Sequence, residues 1–201
     1  MSGKPQYDEE AVVDAAVHVF WRHGYAATSI NELTAATGLS RSSLYQRFQD
    51  KDGLFREALT KYTQRVLTRM SASHAETMRA RLDALLREFL PRDARSKRPA
   101  GCLLARSCSE MTALTEAGRE AALAGLAKQR AIIEAILVRA VSQEELAPDA
   151  DIEGMAWHFL GVLQALLNLP QAGAATTSLH RMVDIAMSVW PVPLKRPRKS
   201  A

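Results

Sequence analysis

The sequence predicts an all-α protein, with a small three-helix head at the N-terminus and a larger helical body behind it. Three observations support this prediction. Apolar residues recur at intervals of three and four through most of the chain, no segment alternates with the period of two that is typical of strands, and residues 28–51 contain two short helical segments around one glycine. Two short helices joined by a tight turn form a helix-turn-helix unit.

The first helix is predicted from an acidic turn followed by apolar residues at helical spacing. Asp8, Glu9 and Glu10 place negative charge at the helix start, where the helix dipole favours it. The apolar face that follows consists of Val12, Val13, Ala16, Val19 and Phe20. We expect this helix to end at Gly24.

The second and third helices are defined by their caps. Ser29 and Glu32 have the Ser-x-x-Glu spacing of a capping box, which predicts that the second helix begins directly after Ser29. Gly38 suits the positive φ that ends a helix. Ser40 is a good N-cap for the third helix, which we expect to run from Arg41 to about Phe48.

The third helix is predicted to have one apolar and one polar face. Leu44 and Phe48 lie one turn apart and should face the core. In a DNA major groove Arg can pair with guanine, Gln with adenine and Ser with either base. The polar face carries Arg41, Ser42, Ser43, Gln46 and Arg47. Tyr45 and Lys51 suit phosphate oxygens, which fix the register of a protein on DNA but do not specify its sequence.

A longer set of residues extends this pattern. It consists of Gly24-Tyr25, Thr28-Ser29-Ile30, Glu32-Leu33, Gly38-Leu39-Ser40, Leu44-Tyr45, Phe48, Lys51 and Leu54. The set resembles the signature of the tetracycline-repressor (TetR/AcrR) family, and the resemblance covers about the first 60 residues. It implies an all-helical homodimer whose head binds a double-stranded DNA operator, and whose body binds a small-molecule effector that lowers operator affinity.

The resemblance also implies roles for individual residues. Phosphate contacts are implied for Thr28, Ser29, Tyr45 and Lys51. Base-reading positions are implied for Arg41, Ser42, Ser43 and Gln46. The expected domains are therefore a helix-turn-helix DNA-binding domain in residues 1–60, a ligand-binding and dimerisation domain in residues 61–194, and a basic disordered tail in residues 195–201.

The charge of the chain is concentrated in that tail. Its four cations, Lys195, Arg196, Arg198 and Lys199, equal the formal net charge of +4 of the whole sequence. Residues 1–60 carry six basic and eight acidic residues, a net charge of −2. DNA affinity must therefore come from the placement of a few cations and amides. The tail either only solubilises the chain or adds non-specific phosphate contact.

Apolar periodicity predicts the remaining elements of the body. In order, these are a connector helix over 51–70, an amphipathic helix over 74–90, a polar loop over 92–99, a helix that opens within 101–111 and a long helix over 116–145. The segment 101–111 is similar to the Gly-Cys-Leu segment at the entrance to the ligand-binding body in many members of the family. A shift of the connector helix would let the body reposition the head.

The last two helices are the expected dimer surface. Residues 151–169 are apolar around nearly the whole helix circumference, which is typical of a helix buried on more than one side. Residues 177–190 carry a second apolar stripe. Pairing both helices with a symmetry mate would form a four-helix bundle. The alternative is that both helices bury their apolar faces within one subunit.

The resemblance places a ligand cavity among the helices of residues 80–169. The residues that we expect to line it are apolar and suit a hydrophobic or aromatic effector. They are Phe89, Leu104, Cys108, Met111, Trp157 and Phe159. Polar specificity could come from Asn168, Gln164, His158 and Glu110. For each residue the alternative is an ordinary structural role, because Met and aromatic residues at helical spacing usually serve packing.

The two cysteines suggest a different mode of regulation. Cys102 and Cys108 lie six residues apart on a predicted helix, so they point about 120° away from each other and could pair only if the helix start unwinds. A thiol-based redox sensor acting through the same fold is one alternative. Two small apolar fillers are the other.

The sequence lacks the residues that several other classes of protein require. No apolar run approaches the roughly 20 residues of a membrane span, and the N-terminus lacks the apolar segment of a signal peptide, so we expect no membrane association and a cytoplasmic protein. The five histidines form no metal-binding pair, and no Gly-rich phosphate loop or nucleophile elbow is present. We therefore expect no enzyme, no metal and no cofactor.

The predicted function is a ligand-responsive DNA-binding transcriptional regulator, a repressor that a small hydrophobic effector releases from its operator. Two third helices placed in successive major grooves, about one helical turn apart, require a roughly palindromic operator. Activation is the alternative outcome, since the sign depends on where the operator lies relative to a promoter. A helical small-molecule-binding protein without DNA function is the other alternative, and the complete pattern of residues 29–51 argues against it.

Overall fold

The structure is a computed structural model that describes residues 7–91 and 99–191. Within these residues the chain forms α-helices and no strands, which confirms the predicted all-α class. The helices are α1 (Glu9–Ala27), α2 (Ile30–Thr37), α3 (Arg41–Phe48), α4 (Lys51–Ser71), α5 (Met78–Glu88), α6 (Leu103–Ser109), α7 (Glu116–Ser142), α8 (Ile152–Asn168) and α9 (Thr176–Met187). A short 3-10 helix, Leu169–Ala172, lies between α8 and α9.

The head consists of α1, α2, α3 and the first half of α4. Its centre is aromatic: the rings of Phe20 and Phe55 meet edge to face with centroids 5.1 Å apart, and those of Tyr25 and Phe55 are 4.9 Å apart. Leu33 from α2 and Leu44 from α3 are fully buried in the same core. Burial of these side chains holds two helices of only eight residues each in place.

The caps set the helix-turn-helix as predicted. Ser29 and Glu32 form both bonds of the capping box at the start of α2. Gly38 ends α2 with a φ of 72°. The Ser40 hydroxyl accepts a hydrogen bond from the Ser43 amide at 3.1 Å and so caps α3, whose bounds match the prediction.

The first helix is broken at Gly24, where the sequence predicts its end. Gly24 does leave helical geometry, with φ 81° and ψ 177°, but a further turn follows and α1 ends at Ala27. The amides of Tyr25 and Ala26 open this turn, and the carboxylate of Glu110 accepts hydrogen bonds from both. A cap supplied from a distant part of the chain allows the turn to form.

The helix predicted over residues 74–90 is shorter than expected. It begins at Met78, because Thr77 is its N-cap and accepts a hydrogen bond from the Ala80 amide at 3.1 Å. Glu145 also caps this start, since its carboxylate accepts from the amides of Met78 and Arg79 at 2.6 and 3.0 Å. The apolar residues of this helix begin at Met78, so the predicted start at residue 74 lay upstream of the apolar pattern itself.

The long helix α7 lies at the centre of the body and packs against α4, α5, α6 and α8. The head joins the body along α4 and through contacts between α1 and α6. The predicted basic tail lies outside the described residues, as does the predicted polar loop apart from Pro99. Among the helices that the structure describes, none is long and apolar enough to cross a membrane.

The body contains a buried amide pair between α7 and α8. Gln129 is fully buried, and its Oε1 accepts a hydrogen bond from Gln164 Nε2 at 2.9 Å. The remaining amide atoms, Gln129 Nε2 and Gln164 Oε1, are buried without a hydrogen-bond partner. Native interiors contain few such atoms, because leaving a buried donor or acceptor unpaired costs about 1–3 kcal/mol.

This pairing predicts a non-additive effect on stability. Gln164→Met removes the partner of Gln129 and should lower the free energy of unfolding by about 1–3 kcal/mol, whereas Gln129→Met with Gln164→Met removes all the buried amide atoms and should cost less than the single change. Urea unfolding of the two variants and the Gln129→Met single variant measures the cycle. A double variant that loses the sum of the two single effects would contradict the pairing.

Candidate nucleic-acid interface

The outer face of α3 is polar and open. Arg41, Ser42, Tyr45 and Gln46 are exposed, while Ser43 is half-buried. Tyr45 keeps 45% of its surface accessible although it is aromatic. The opposite face carries Leu44 and Phe48 in the head core, so the polar side chains project away from it.

Arg41 is oriented by a residue of the preceding helix. Its guanidinium donates a hydrogen bond to Asn31 Oδ1 at 2.7 Å. Asn31 is exposed near the start of α2, and the sequence pattern predicted no role for it. From sequence alone, an Asn two residues after a capping serine gives little indication of a role in DNA binding, because only the fold shows that this Asn faces α3. This hydrogen bond limits the orientations that the Arg41 guanidinium can adopt.

The start of α3 carries a cluster of hydroxyl groups. Ser40 Oγ lies 2.9 Å from both Ser42 Oγ and Ser43 Oγ. Ser42 and Ser43 are expected readers of bases, and Ser42 is the more accessible of the two. Hydroxyl groups that bond to one another can exchange these bonds for contacts with a DNA base or phosphate.

Arg47 faces away from the expected DNA surface, so its placement on the groove-facing side of α3 was wrong. Its guanidinium donates to Glu9 on α1, with Nε at 2.8 Å, and to Glu57 on α4 at 2.9 Å. The hydrogen bond from Arg47 holds the pKa of the Glu9 carboxyl below its usual value. Arg47 therefore ties the end of α3 to the two helices beneath it.

Thr28, for which a phosphate contact is expected, is buried at the end of α1. Thr28 is 2% exposed, and its hydroxyl donates to the Gly24 carbonyl at 2.5 Å, which closes the last turn of α1. Ser29 is exposed, but its side chain is held in the capping box. Both residues thus shape the junction between α1 and α2.

Lys51 also fastens this junction. Its ammonium donates to the carbonyls of Tyr25 and Thr28, both at 3.1 Å, and lies 4.2 Å from the centroid of the Tyr25 ring. A cation at carbonyls of a helix end is favoured by the helix dipole. Lys51 therefore has structural partners within the head, whereas the sequence suggested only a phosphate contact.

The six expected ligand residues do not form one lining. Leu104 and Phe159 are fully buried, Phe89 is 5% exposed, and Cys108 and Met111 are half-buried. Trp157 is 51% exposed, and the Arg130 guanidinium lies 5.0 Å from its ring centroid. Trp157 therefore lies on the outside of the subunit, an orientation that apolar periodicity cannot distinguish from one turned to the body.

A cleft of about 1830 Å³ runs between α1 and α4 toward the ends of α5 and α8. Its walls combine charged side chains of α1 and α4 with apolar side chains, among which are Trp21, Tyr62, Leu90 and Leu166. Of the six expected ligand residues only Phe89 lines this cleft.

The cysteines do not have the environment of reactive thiols. Cys102 is 2% exposed, and burial raises the pKa of its thiol. Burial also raises the pKa of the half-buried Cys108. Because thiolates are the reactive species, both shifts reduce the reactivity that a thiol-based sensor requires. Within the described part of the chain, no three His, Cys, Asp or Glu side chains are grouped to hold a metal ion.

Family models match both the head and the body. Residues 12–58 match the model "Bacterial regulatory proteins, tetR family", and residues 78–186 match the model "Tetracyclin repressor-like, C-terminal domain". The chain belongs to the TetR family. The match to the second model covers more than half of the chain and lies beyond the first 60 residues, which carry the family signature.

TetR-family relatives match over nearly the whole chain. The HTH-type transcriptional repressor ComR of Escherichia coli K12 is 26% identical over 197 residues, which cover 94% of this chain and 92% of ComR. A cysteine-substituted CifR, a TetR-family transcriptional regulator solved with a 26-base-pair double-stranded operator DNA, is 29% identical with a TM-score of 0.80, covering 94% of this chain and 100% of CifR. A TetR-family regulator from Cytophaga hutchinsonii shares the fold, with a TM-score of 0.79 at 20% identity over 93% and 95% of the two chains.

The role of Lys51 in this TetR-family head predicts a loss of stability on substitution. Lys51→Met keeps the length of the side chain but removes two hydrogen bonds to carbonyls, which should cost about 1 kcal/mol and lower the Tm by roughly 2–4 °C. Lys128→Met, at an exposed position of α7, is the control for loss of a charge. Thermal unfolding followed by circular dichroism measures both variants, and an unchanged Tm for Lys51→Met would contradict the fastening role.

Proposed function

We propose that this TetR-family chain is a dimeric transcriptional repressor that binds a palindromic DNA operator through α3 and is released by a small-molecule effector. The observation that carries the proposal is the face of α3, where accessible polar side chains project from an apolar anchor that fixes the helix. Two relatives support it, since ComR is named a repressor and CifR was solved on operator DNA. A function on genomic DNA implies a cytoplasmic protein, and no catalytic step is part of this function.

Base reading is assigned to Arg41, Ser42, Ser43 and Gln46. The hydrogen bond that Arg41 donates to Asn31 leaves the other donors of its guanidinium for a guanine edge, which accepts two of them. Tyr45 reaches phosphate with its exposed hydroxyl. These contacts compensate for the negative net charge of the head, because each is aimed at one group of the duplex.

Dimerisation is assigned to α8 and α9. Both helices leave large apolar side chains outside the subunit: Trp157 is 51% exposed on α8, Ile185 is 70% exposed on α9, and Val189 follows at 49%. Gly161 lies on the exposed side of α8 and has open space around it, so a second backbone can approach closely. A two-fold axis through these helices presents two copies of α3 to successive major grooves.

The effector is assigned to the interior of the body, beside the buried pair Gln129 and Gln164. The unpaired amide atoms of this pair offer one donor and one acceptor to a ligand. Apolar side chains lie near the pair along the same two helices: Leu104 packs against Gly125, one turn before Gln129, and Phe159 is fully buried earlier on α8. The chemistry fits a small, mainly apolar molecule that carries one neutral polar group.

Selection of bound fragments from genomic DNA tests the proposed function. We expect the purified protein to enrich palindromic sites with half-sites one helical turn apart. Arg41→Ala should weaken binding to the enriched site by about 1–3 kcal/mol with little effect on random DNA, whereas Arg139→Ala, which removes an exposed cation from α7, should leave both unchanged. The proposed function fails if wild-type protein enriches no sequence, and Arg41 is not a reader if both DNAs lose affinity equally.

The effector site is tested with a reporter gene placed behind the enriched operator. Substrates and products of the enzymes encoded by the flanking genes are screened for derepression, and the most active compound becomes the probe. Gln164→Met should raise the concentration of this compound needed for half-maximal derepression about tenfold, because one buried hydrogen bond is lost. Gln143→Met, at the exposed end of α7, is the matched control. Equal responses of both variants and the wild type would exclude the assigned site.

A further inference from the structure

The head and the body are joined by a carboxylate that lies at the end of α6. Glu110 Oε2 accepts hydrogen bonds from the backbone amides of Tyr25 at 2.6 Å and Ala26 at 3.1 Å. These amides open the last turn of α1, directly after the break at Gly24. Exposed amides at the start of a helical turn attract negative charge, and hydrogen bonds to an ionised acceptor are stronger than neutral ones.

The glycine at position 24 provides the space for this contact. Gly24 has a φ of 81°, which side chains other than glycine rarely adopt. A Cβ at this position would also collide with the Glu110 carboxylate. The break in α1 thus creates the two free amides and the space through which the carboxylate reaches them.

The turn that Glu110 caps is connected to two other helices of the DNA-binding head. The Tyr25 carbonyl accepts a hydrogen bond from Lys51, the first residue of α4, and the chain continues through Thr28 into the capping box of α2. A displacement of Glu110 is therefore passed to the starts of α2 and α4 together. These two helices flank α3 in sequence.

On the body side, Glu110 follows a helix whose start is buried. Cys102, Leu103 and Leu104 are each at most 2% exposed, so α6 moves with the interior of the body. A second contact lies a few residues on, where the Thr115 hydroxyl donates to Asp52 of α4 at 2.6 Å. The segment 110–115 thus holds the head at two places.

We infer that Glu110 is a positioning residue for DNA binding: it holds the turn after Gly24 and so fixes the angle of the head on the body. The inference rests on the proposed function and adds to it one contact through which the body controls the head. An effector that shifts α6 withdraws the Glu110 carboxylate from the two amides, and the head loses the orientation that the operator requires.

The chain contains a matched control for this role. Glu145 caps the start of α5 through the amides of Met78 and Arg79, at nearly the same distances of 2.6 and 3.0 Å, but both partners lie within the body. Glu110→Gln and Glu145→Gln therefore remove the same charge from the same kind of contact. Only the first of the two connects the head to the body.

The test compares the two variants on the DNA fragment enriched by the wild-type protein. Glu110→Gln should bind this fragment about tenfold more weakly, and the amides of Tyr25 and Ala26 should exchange hydrogen at least tenfold faster. Glu145→Gln should lose similar thermal stability, keep wild-type DNA affinity, and show faster exchange only at Met78 and Arg79. Glu110→Asp, which keeps the charge on a shorter side chain, should fall between wild type and Glu110→Gln.

Unchanged DNA affinity for Glu110→Gln would overturn the inference, as would an equal loss of affinity in Glu145→Gln, which would indicate general destabilisation. Unchanged exchange at Tyr25 and Ala26 would also overturn it, because the contact would then not hold the turn. Failure of the wild-type protein to bind DNA is a separate result, which refutes the proposed function itself.

Discussion

The burial of two side chains under α3 is the constraint on which the rest of the structure depends. A helix of eight residues is not stable alone in water, so α3 exists because Leu44 and Phe48 are buried in the aromatic core of the head. That anchor decides which side chains can face outward. It also makes the position of α3 a property of the whole head, so any contact that moves the head moves the DNA-reading face.

Ion pairs between helices use many of the charged side chains of the head. Its acidic residues are largely used within the protein: Glu9 and Glu57 pair with Arg47, and Asp52 pairs with Arg56. Asp14 on α1 likewise pairs with two cations of α4, Lys61 and Arg65. The negative net charge of the head is therefore compatible with binding a polyanion, because these carboxylates hold helices together and Arg41 remains on the open face.

Local signals made α2 and α3 predictable from the sequence to the residue, since capping boxes and glycine turns act between neighbours. Features that depend on long-range contact were not predictable in this way. Thr28 matched the family pattern, yet the fold buries it, and Trp157 fitted an apolar stripe, yet the fold turns it outward. Glu110 was expected near a ligand, but its partners lie 84 and 85 residues earlier, and no local pattern records such a pairing.

The most direct test of this account is a crystal structure of the dimer bound to its enriched DNA fragment. We expect α3 to lie in the major groove with the Arg41 guanidinium at a base edge, α8 and α9 to form the two-fold interface, and Glu110 to remain bonded to the amides of Tyr25 and Ala26. A complex in which another surface contacts the DNA, or in which α3 enters the groove while Glu110 has released the head, would contradict it.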